Sequence, residues 1–332
     1  MTNLTVNLGG MKMKNPITVA SGTFGSGADF AALWEQTRAQ GQTQPQAQMT
    51  SPSREALTNP RHEKPLSILG AVTTKGVSLE PWAGNPGTRI AETASGMLNS
   101  IGLQNPGVEA FCTHDLACLT TADVPVIVNV SGHTKDEYLR VIDRLEREPA
   151  VGAYEINISC PNVDSGGMAF GTDPAAAAAV TAACRTATKR PLIVKLSPNV
   201  TDITEIARAA EAAGADALSL INTVAGMAID LQARKAVFAR TVGGLSGPAI
   251  KPIALYAVQR VYQATRLPLL GMGGIASVED ALEFLIAGAT AVAVGTANFT
   301  DPLTAIRLVE GLEQWCTDNG IQDINELIGA LS

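Results

Sequence analysis

From Tyr154 to Pro174 the chain reads YEINISCPNVDSGGMAFGTDP, a short apolar run that breaks into a polar, glycine-rich loop. At the break stand Asn157, Cys160 and Asn162, with Pro161 between the last two. A residue that precedes proline is driven towards extended geometry. The Cys160 thiol therefore belongs on a bent loop at the end of a strand, where catalytic side chains often sit. A thiol so placed can act as a general base once its pKa supplies enough thiolate. The commoner use of a cysteine is to fill a small gap in a core. The two amides that flank Cys160 favour the base, because each offers a donor and an acceptor to a flat polar substrate.

A loop of this kind needs a rigid scaffold, and the rest of the chain supplies the pattern of one. Apolar segments at Ile17–Ala20, Ile68–Thr74, Val124–Asn129, Tyr154–Ile158, Leu192–Leu196, Ala217–Ile221, Leu267–Gly271 and Ala291–Val294 read as strands. Amphipathic stretches lie between them, such as Asp202–Ala213 and Val278–Ala287, each stopped by a Gly-Ala pair at Gly214 or Gly288. Glycine after a helix is the usual left-handed stop. Ahead of the first strand, LTVNL and MKMK around Gly9-Gly10 read as a hairpin. The alternation predicts an α/β fold: a (β/α)8 TIM barrel with an N-terminal β-hairpin and long loops on its catalytic face. A doubly wound open sheet is the alternative, and no GxGxxG follows the first strand to support it.

A barrel carries its chemistry at the carboxyl ends of its strands. In order these are Ser21, Lys75, Asn129, Asn157, Lys195, Asn222, Gly273-Gly274 and Gly295-Thr296. Glycines after the seventh and eighth strands let backbone N–H groups approach a phosphate, and Gly247 in GGLSGP adds a further close contact. A fixed cation such as Lys195 beside the pyrimidine edge of a flavin stabilises the negative charge of its reduced form. Lys75 can serve the same cofactor or a substrate carboxylate. Asn99, Asn157, Asn162 and Asn222 then surround one pocket suited to a planar, amide-rich substrate. The connections Gly76–Thr121 and Thr223–Pro252 are long enough to cover it.

Composition narrows the field. The 332 residues carry a net charge of −7, so no basic surface points to nucleic acid, and no apolar run is long enough for a membrane span. The N-terminus lacks the pattern of a signal peptide. Five scattered cysteines with no CxxC pair argue against a disulfide framework or zinc site and fit a cytoplasmic, reducing setting. Three isolated histidines, His62, His114 and His133, are too few for a metal cluster and read as surface residues. Residues 1–332 are expected to form one domain. Within it, residues 36–65, rich in Gln, Thr and Pro, read as a mobile insertion on the amino-end face.

The segments KGVSLEP, GMLNSIGLQNPG, NISCPNV, FGTDP, VKLSPN, INT, GGLSGPAIKP, GMGGI and VAVGTANF together resemble dihydroorotate dehydrogenases, most closely the class 1B catalytic subunit. The resemblance covers nearly the whole chain except the Gln-rich insertion. It implies a barrel that binds FMN and oxidises (S)-dihydroorotate to orotate in pyrimidine synthesis, with Cys160 removing the C5 proton as hydride leaves C6 for the flavin. By motif, FMN would contact Ser21, Lys75, Gly76, Asn129, Asn157, Lys195, Ile221, Gly247, Gly273, Gly274, Gly295 and Thr296. Substrate would contact Lys75, Asn99, Ser100, Ile101, Gly102, Leu103, Asn157, Asn162, Asn222 and Thr223. The resemblance further implies a homodimer core paired with a subunit that carries FAD and a [2Fe–2S] cluster and passes electrons to NAD. A cysteine at the base position places the chain in class 1, and GGLSGPAIKP resembles the 1B pattern rather than the fumarate-using 1A pattern.

Overall fold

The computed structural model describes residues 2–25, 27, 30, 32–33, 65–159, 161–162 and 168–332. The 36–65 stretch lies outside the described residues except for Pro65, which opens a 3-10 turn at Pro65–Ile68.

Eight parallel strands make the central sheet: β1 (Ile17–Val19), β2 (Val72–Thr73), β3 (Val126–Val130), β4 (Val151–Asn157), β5 (Leu192–Lys195), β6 (Ala217–Leu220), β7 (Leu269–Met272) and β8 (Ala291–Val294). Hydrogen-bonded neighbours run β1-β8-β7-β6-β5-β4-β3-β2. The two end strands then meet: the Gly70 N–H donates to the Ile17 carbonyl at 2.8 Å, and the Thr18 and Thr73 hydroxyls lie 3.3 Å apart. The sheet thus curls into the expected barrel. Strands such as AVAV and LIVK are buried along their whole length because helices cover one face and the barrel interior the other.

The helices begin where the sequence places their caps. Thr134 accepts from the Glu137 N–H ahead of Lys135–Leu145, Asp173 from Ala176 ahead of Pro174–Ala187, and Asp202 from Thr204 ahead of Ile203–Ala212. Ser277 and Asp280 form a reciprocal capping box at Val278–Ile286. Gly214 and Gly288 end two helices at φ +97° and +117°, as the Gly-Ala pairs predict.

The N-terminal hairpin pairs Val6–Leu8 with Met11–Met13, burying Val6, Leu8, Met11 and Met13 and exposing Asn7 and Lys12. It closes the amino end of the barrel. A side chain at Gly9 would meet the Asp216 carbonyl oxygen at 2.6 Å, at the threshold of β6.

Two readings need adjustment. Of the run Ile68–Thr74, Leu69–Thr74 is buried, but only Val72–Thr73 pairs as strand, because Pro65–Ile68 coils into the 3-10 turn. β4 starts at Val151, three residues before Tyr154, across a register irregularity opposite Val126 and Ile127. The two long connections are more than loops. Val224–Gly226, Gly243–Ser246, Gly96–Asn99 and Ile90–Thr93 pair, in that order, into a four-stranded antiparallel sheet. Among the described residues no helix is long and apolar enough to cross a membrane.

The barrel closure generates a prediction. A Cβ at Gly70 would lie 2.0 Å from the Asn15 carbonyl oxygen, where β1 and β2 meet. Gly70→Ala is expected to destabilise the protein by about 2–3 kcal/mol, since backbone must shift to admit one methyl group. Denaturant unfolding of wild type and variant checks this.

Candidate active site

At the carboxyl ends of the strands lies a cavity of about 930 Å³. Its lining includes Ser21, Lys75, Gly76, Asn129, Asn157, Lys195, Ile221, Gly247, Gly273, Gly274, Gly295 and Thr296, and also Asn99, Ser100, Ile101, Gly102, Leu103, Asn222 and Thr223. These positions come from every strand end and from both long connections, and the barrel brings them to one place. Two expected residues stand apart. Cys160 lies outside the described residues. Asn162 pairs its backbone with Met168 in a two-residue ladder, and nothing is assigned to its side chain. Ser159, just before Cys160, lines the cavity.

Lys195, the last residue of β5, turns into the barrel because Ile193 and Lys195 share one face of the strand. Its side chain is 8% exposed, and its Nζ donates to Ser21 Oγ at 3.2 Å and lies 3.7 Å from Glu155 Oε1. Lys75, two residues beyond β2, donates from Nζ to the Gly22 carbonyl at 3.4 Å. Burial, and then the neighbouring Lys195 charge, hold its amine below the ordinary lysine value.

The amides are aimed by neighbours. Asn129 Nδ2 donates to Glu155 Oε1 at 2.6 Å. Asn157 Oδ1 accepts from the Ser159 N–H at 3.2 Å, and the Asn157 carbonyl accepts from the Tyr138 hydroxyl at 2.6 Å. Asn222 Nδ2 donates to Ser159 Oγ at 2.8 Å, while its Oδ1 accepts from the Thr223 N–H at 2.8 Å. Asn99 Nδ2 reaches across the four-stranded sheet to the Gly244 carbonyl at 3.1 Å.

Two glycine turns, at Gly247 and at Gly273-Gly274, come together in the cavity lining. Gly247, Gly273 and Gly274 have φ of +96°, +130° and +81°. A Cβ at Gly274 would lie 2.9 Å from the Gly247 carbonyl oxygen, and one at Gly247 would lie 2.7 Å from Gly96 Cα. Only glycine allows these backbones to approach so closely. Thr296 Oγ1 donates to Ser246 Oγ at 2.8 Å, joining the β8 turn to the same wall.

Several lining residues escaped the sequence reading. His133, expected at the surface, lines the cavity three residues beyond β3, its ring stacked on Trp82 with centroids 4.2 Å apart. The signal was its nearness to the end of β3. Asn199, in the VKLSPN segment, donates to the Thr223 carbonyl at 2.9 Å and accepts from the Ala225 N–H at 2.8 Å. Glu155 is fully buried beneath the cavity, two residues before Asn157 on the same strand face.

Fold and site together define a barrel whose cavity is lined by lysine and amide side chains and by tight glycine turns, which suits a flat, anionic, multiply hydrogen-bonded ligand. Comparison with known sequences gives that class its family. The family described as Dihydroorotate dehydrogenase matches residues 58–315. A protein of Trichlorobacter lovleyi named dihydroorotate dehydrogenase B (NAD(+)), catalytic subunit, is 51% identical over 328 residues, covering 99% of this chain and 98% of the relative. A protein of the same name from Lachnoclostridium phytofermentans is 51% identical over 329 residues, with 99% of each chain covered. One from Alkaliphilus oremlandii is 49% identical at the same coverage. The chain belongs to the dihydroorotate dehydrogenase family.

The Lys75 environment makes a prediction with a definite sign. Its folded-state pKa is lowered from 10.5, so the unfolded chain holds that proton more tightly than the folded protein does. The buried charge therefore costs stability below the lowered value, and the cost is relieved as pH rises towards 10.5. Lys75→Met is expected to melt at a higher temperature than wild type at pH 7 without added ligand, with the difference shrinking in alkali. Melting curves across that pH range check it, and a variant melting lower at pH 7 would contradict it.

Proposed function

We propose that the chain is an FMN-dependent catalytic subunit that oxidises (S)-dihydroorotate to orotate in pyrimidine synthesis. Family membership and the names of its relatives support this. The observation that carries it is the single cavity lined by both the glycine turns after β7 and β8 and the buried Lys195 at the end of β5.

The residues present fit FMN. Gly247, Gly273 and Gly274 line the cavity in turns packed too closely on neighbouring chain for any Cβ, which suits a phosphate approached by main-chain N–H groups. Ser21, Gly76, Asn129, Asn157, Ile221, Gly295 and Thr296 complete the set that would hold the cofactor. When bound, FMN supplies the two-electron acceptor for the hydride that leaves C6 of the substrate. Lys195 places a fixed positive charge where negative charge develops, and needs no reorganisation to do so.

Lys75, Asn99, Asn157, Asn162 and Asn222, with Ser100 to Leu103 and Thr223, would orient the substrate. The carboxylate is met by an ammonium group and the ring amides by side-chain amides that can donate and accept. The C5 proton is acidified only by the adjacent carbonyl, so a positioned base must remove it. Cys160, which follows Ser159 in the sequence, takes that role. The stacked Trp82 and His133 rings and the antiparallel sheet wall the cavity, restricting water around the reacting atoms.

In this reading residues 1–332 work as one domain, and the 36–65 stretch takes no part in the chemistry. Electrons leave to NAD through a partner subunit carrying FAD and a [2Fe–2S] cluster, attached to a homodimer of this chain. The relatives' designation as an NAD(+)-linked catalytic subunit favours such a partner. Five scattered cysteines with no CxxC pair argue that the cluster resides elsewhere. A reducing, cytoplasmic setting fits this role.

Two measurements follow. Cys160→Ser is expected to retain flavin yet slow its reduction by dihydroorotate about 100-fold or more at neutral pH, read by stopped-flow absorbance; near-normal reduction would place the base elsewhere. The chain alone should turn over dihydroorotate with an artificial dye but with neither NAD nor fumarate. Turnover with NAD would remove the need for a partner, and turnover with fumarate would place the chain outside class 1B.

A further inference from the structure

Beneath the cavity, Glu155 is a carboxylate with no exposed surface and no part in the chemistry so far described. Its Oε1 accepts from Asn129 Nδ2 at 2.6 Å and lies 3.7 Å from Lys195 Nζ. Its Oε2 is buried with no hydrogen-bond partner among the described residues. A carboxylate in such a place is costly and adds nothing to a core that an apolar residue of the same shape would not supply. What it can do is act on its two neighbours.

Both effects follow from elementary chemistry. An ionised carboxylate only accepts, so Asn129 must turn its Nδ2 towards Glu155. The Asn129 Oδ1 then faces the other way, beside Gly76 in the cavity wall, where a Cβ on that glycine would lie 3.0 Å from it. Glu155 thus fixes which end of the amide the cavity sees. The second effect is on charge. Lys75 and Lys195 bring two positive charges to one cavity, close enough that Lys195 depresses the Lys75 amine. Among the described residues Glu155 is the one acidic side chain that forms an ion pair with either lysine, and it brings the formal charge of the three groups from +2 to +1.

We propose that Glu155 is a positioning residue that sets the net charge and the aim of the Lys195 ammonium and orients the Asn129 amide, and so tunes how readily the bound flavin is reduced and how tightly an anionic ring is held. This rests on the flavin reading above. Positive charge near the flavin favours its reduced, negatively charged form, and Glu155 moderates that charge.

The test uses the full chain with its flavin, compared among wild type, Glu155→Gln and Glu155→Asp. Glu155→Gln keeps the shape and removes the charge; Glu155→Asp keeps the charge and changes the shape. The midpoint potential of the bound flavin is expected to move to a more positive value in Glu155→Gln and to stay near wild type in Glu155→Asp. Orotate, used as the anionic probe, is expected to bind the oxidised Glu155→Gln protein roughly tenfold more tightly. A purely structural role predicts the opposite ranking, with the shortened side chain disturbing both quantities at least as much as the isosteric one. An unchanged potential in flavin-loaded Glu155→Gln would overturn the proposal, as would equal shifts in the two variants. Loss of the fold in Glu155→Gln, read by thermal melting, would overturn it too, because it would assign the carboxylate to the fold rather than to the site. A colourless wild-type protein that takes up no FMN would instead refute the flavin reading itself.

Discussion

Two lysine side chains, Lys75 and Lys195, line one cavity in this protein, and burial of Lys75 there weighs on its amine more than the neighbouring Lys195 charge does. Lys195 is held by Ser21 and sits beside the buried Glu155, while Lys75 reaches the Gly22 carbonyl and titrates below its ordinary range. A positive charge so placed weakens the empty fold and suits an anionic ligand. The barrel makes the placement possible. Strands β2 and β5 are anchored in a continuous hydrogen-bonded sheet, and neither lysine can retreat far from the other.

The same scaffold controls the glycine turns. Gly247 and the Gly273-Gly274 pair belong to different connections, yet Gly274 packs on the Gly247 carbonyl, because α/β barrels gather the turns after their strands on one rim. The antiparallel sheet then joins Gly96–Asn99 to Gly243–Ser246. One pairing therefore positions the amide of Asn99 and the turn at Gly247 together. A shift of register there would displace the Asn99 amide and the Gly247 turn at once, which links two long connections that are far apart in the chain.

Much of this was legible in the sequence, for physical reasons that can be named. The barrel strands announce themselves as short apolar runs because both of their faces are buried, and their polar ends mark the rim. The Gly9-Gly10 turn and the Gly-Ala helix stops are local signals and needed no tertiary context. The antiparallel sheet was not legible, since Asn99 and Gly244 are 145 residues apart and GMLN and GGLS show no alternation. Glu155 was missed for a related reason. A glutamate in a strand reads as a solvated face, and only the closed barrel reveals that its side chain faces Lys195 and Asn129. His133 and Trp82 form a stack across two connections, which neither segment foretells.

The central claim is that this cavity holds a flavin on one side and dihydroorotate on the other, close enough for direct transfer. Anaerobic titration of the isolated, flavin-loaded chain with dihydroorotate tests it most directly, followed by the visible flavin absorbance and by orotate formation. The account predicts bleaching of the flavin with one orotate released per flavin, with no partner subunit and no NAD present. A flavin that keeps its oxidised spectrum under excess dihydroorotate would contradict it.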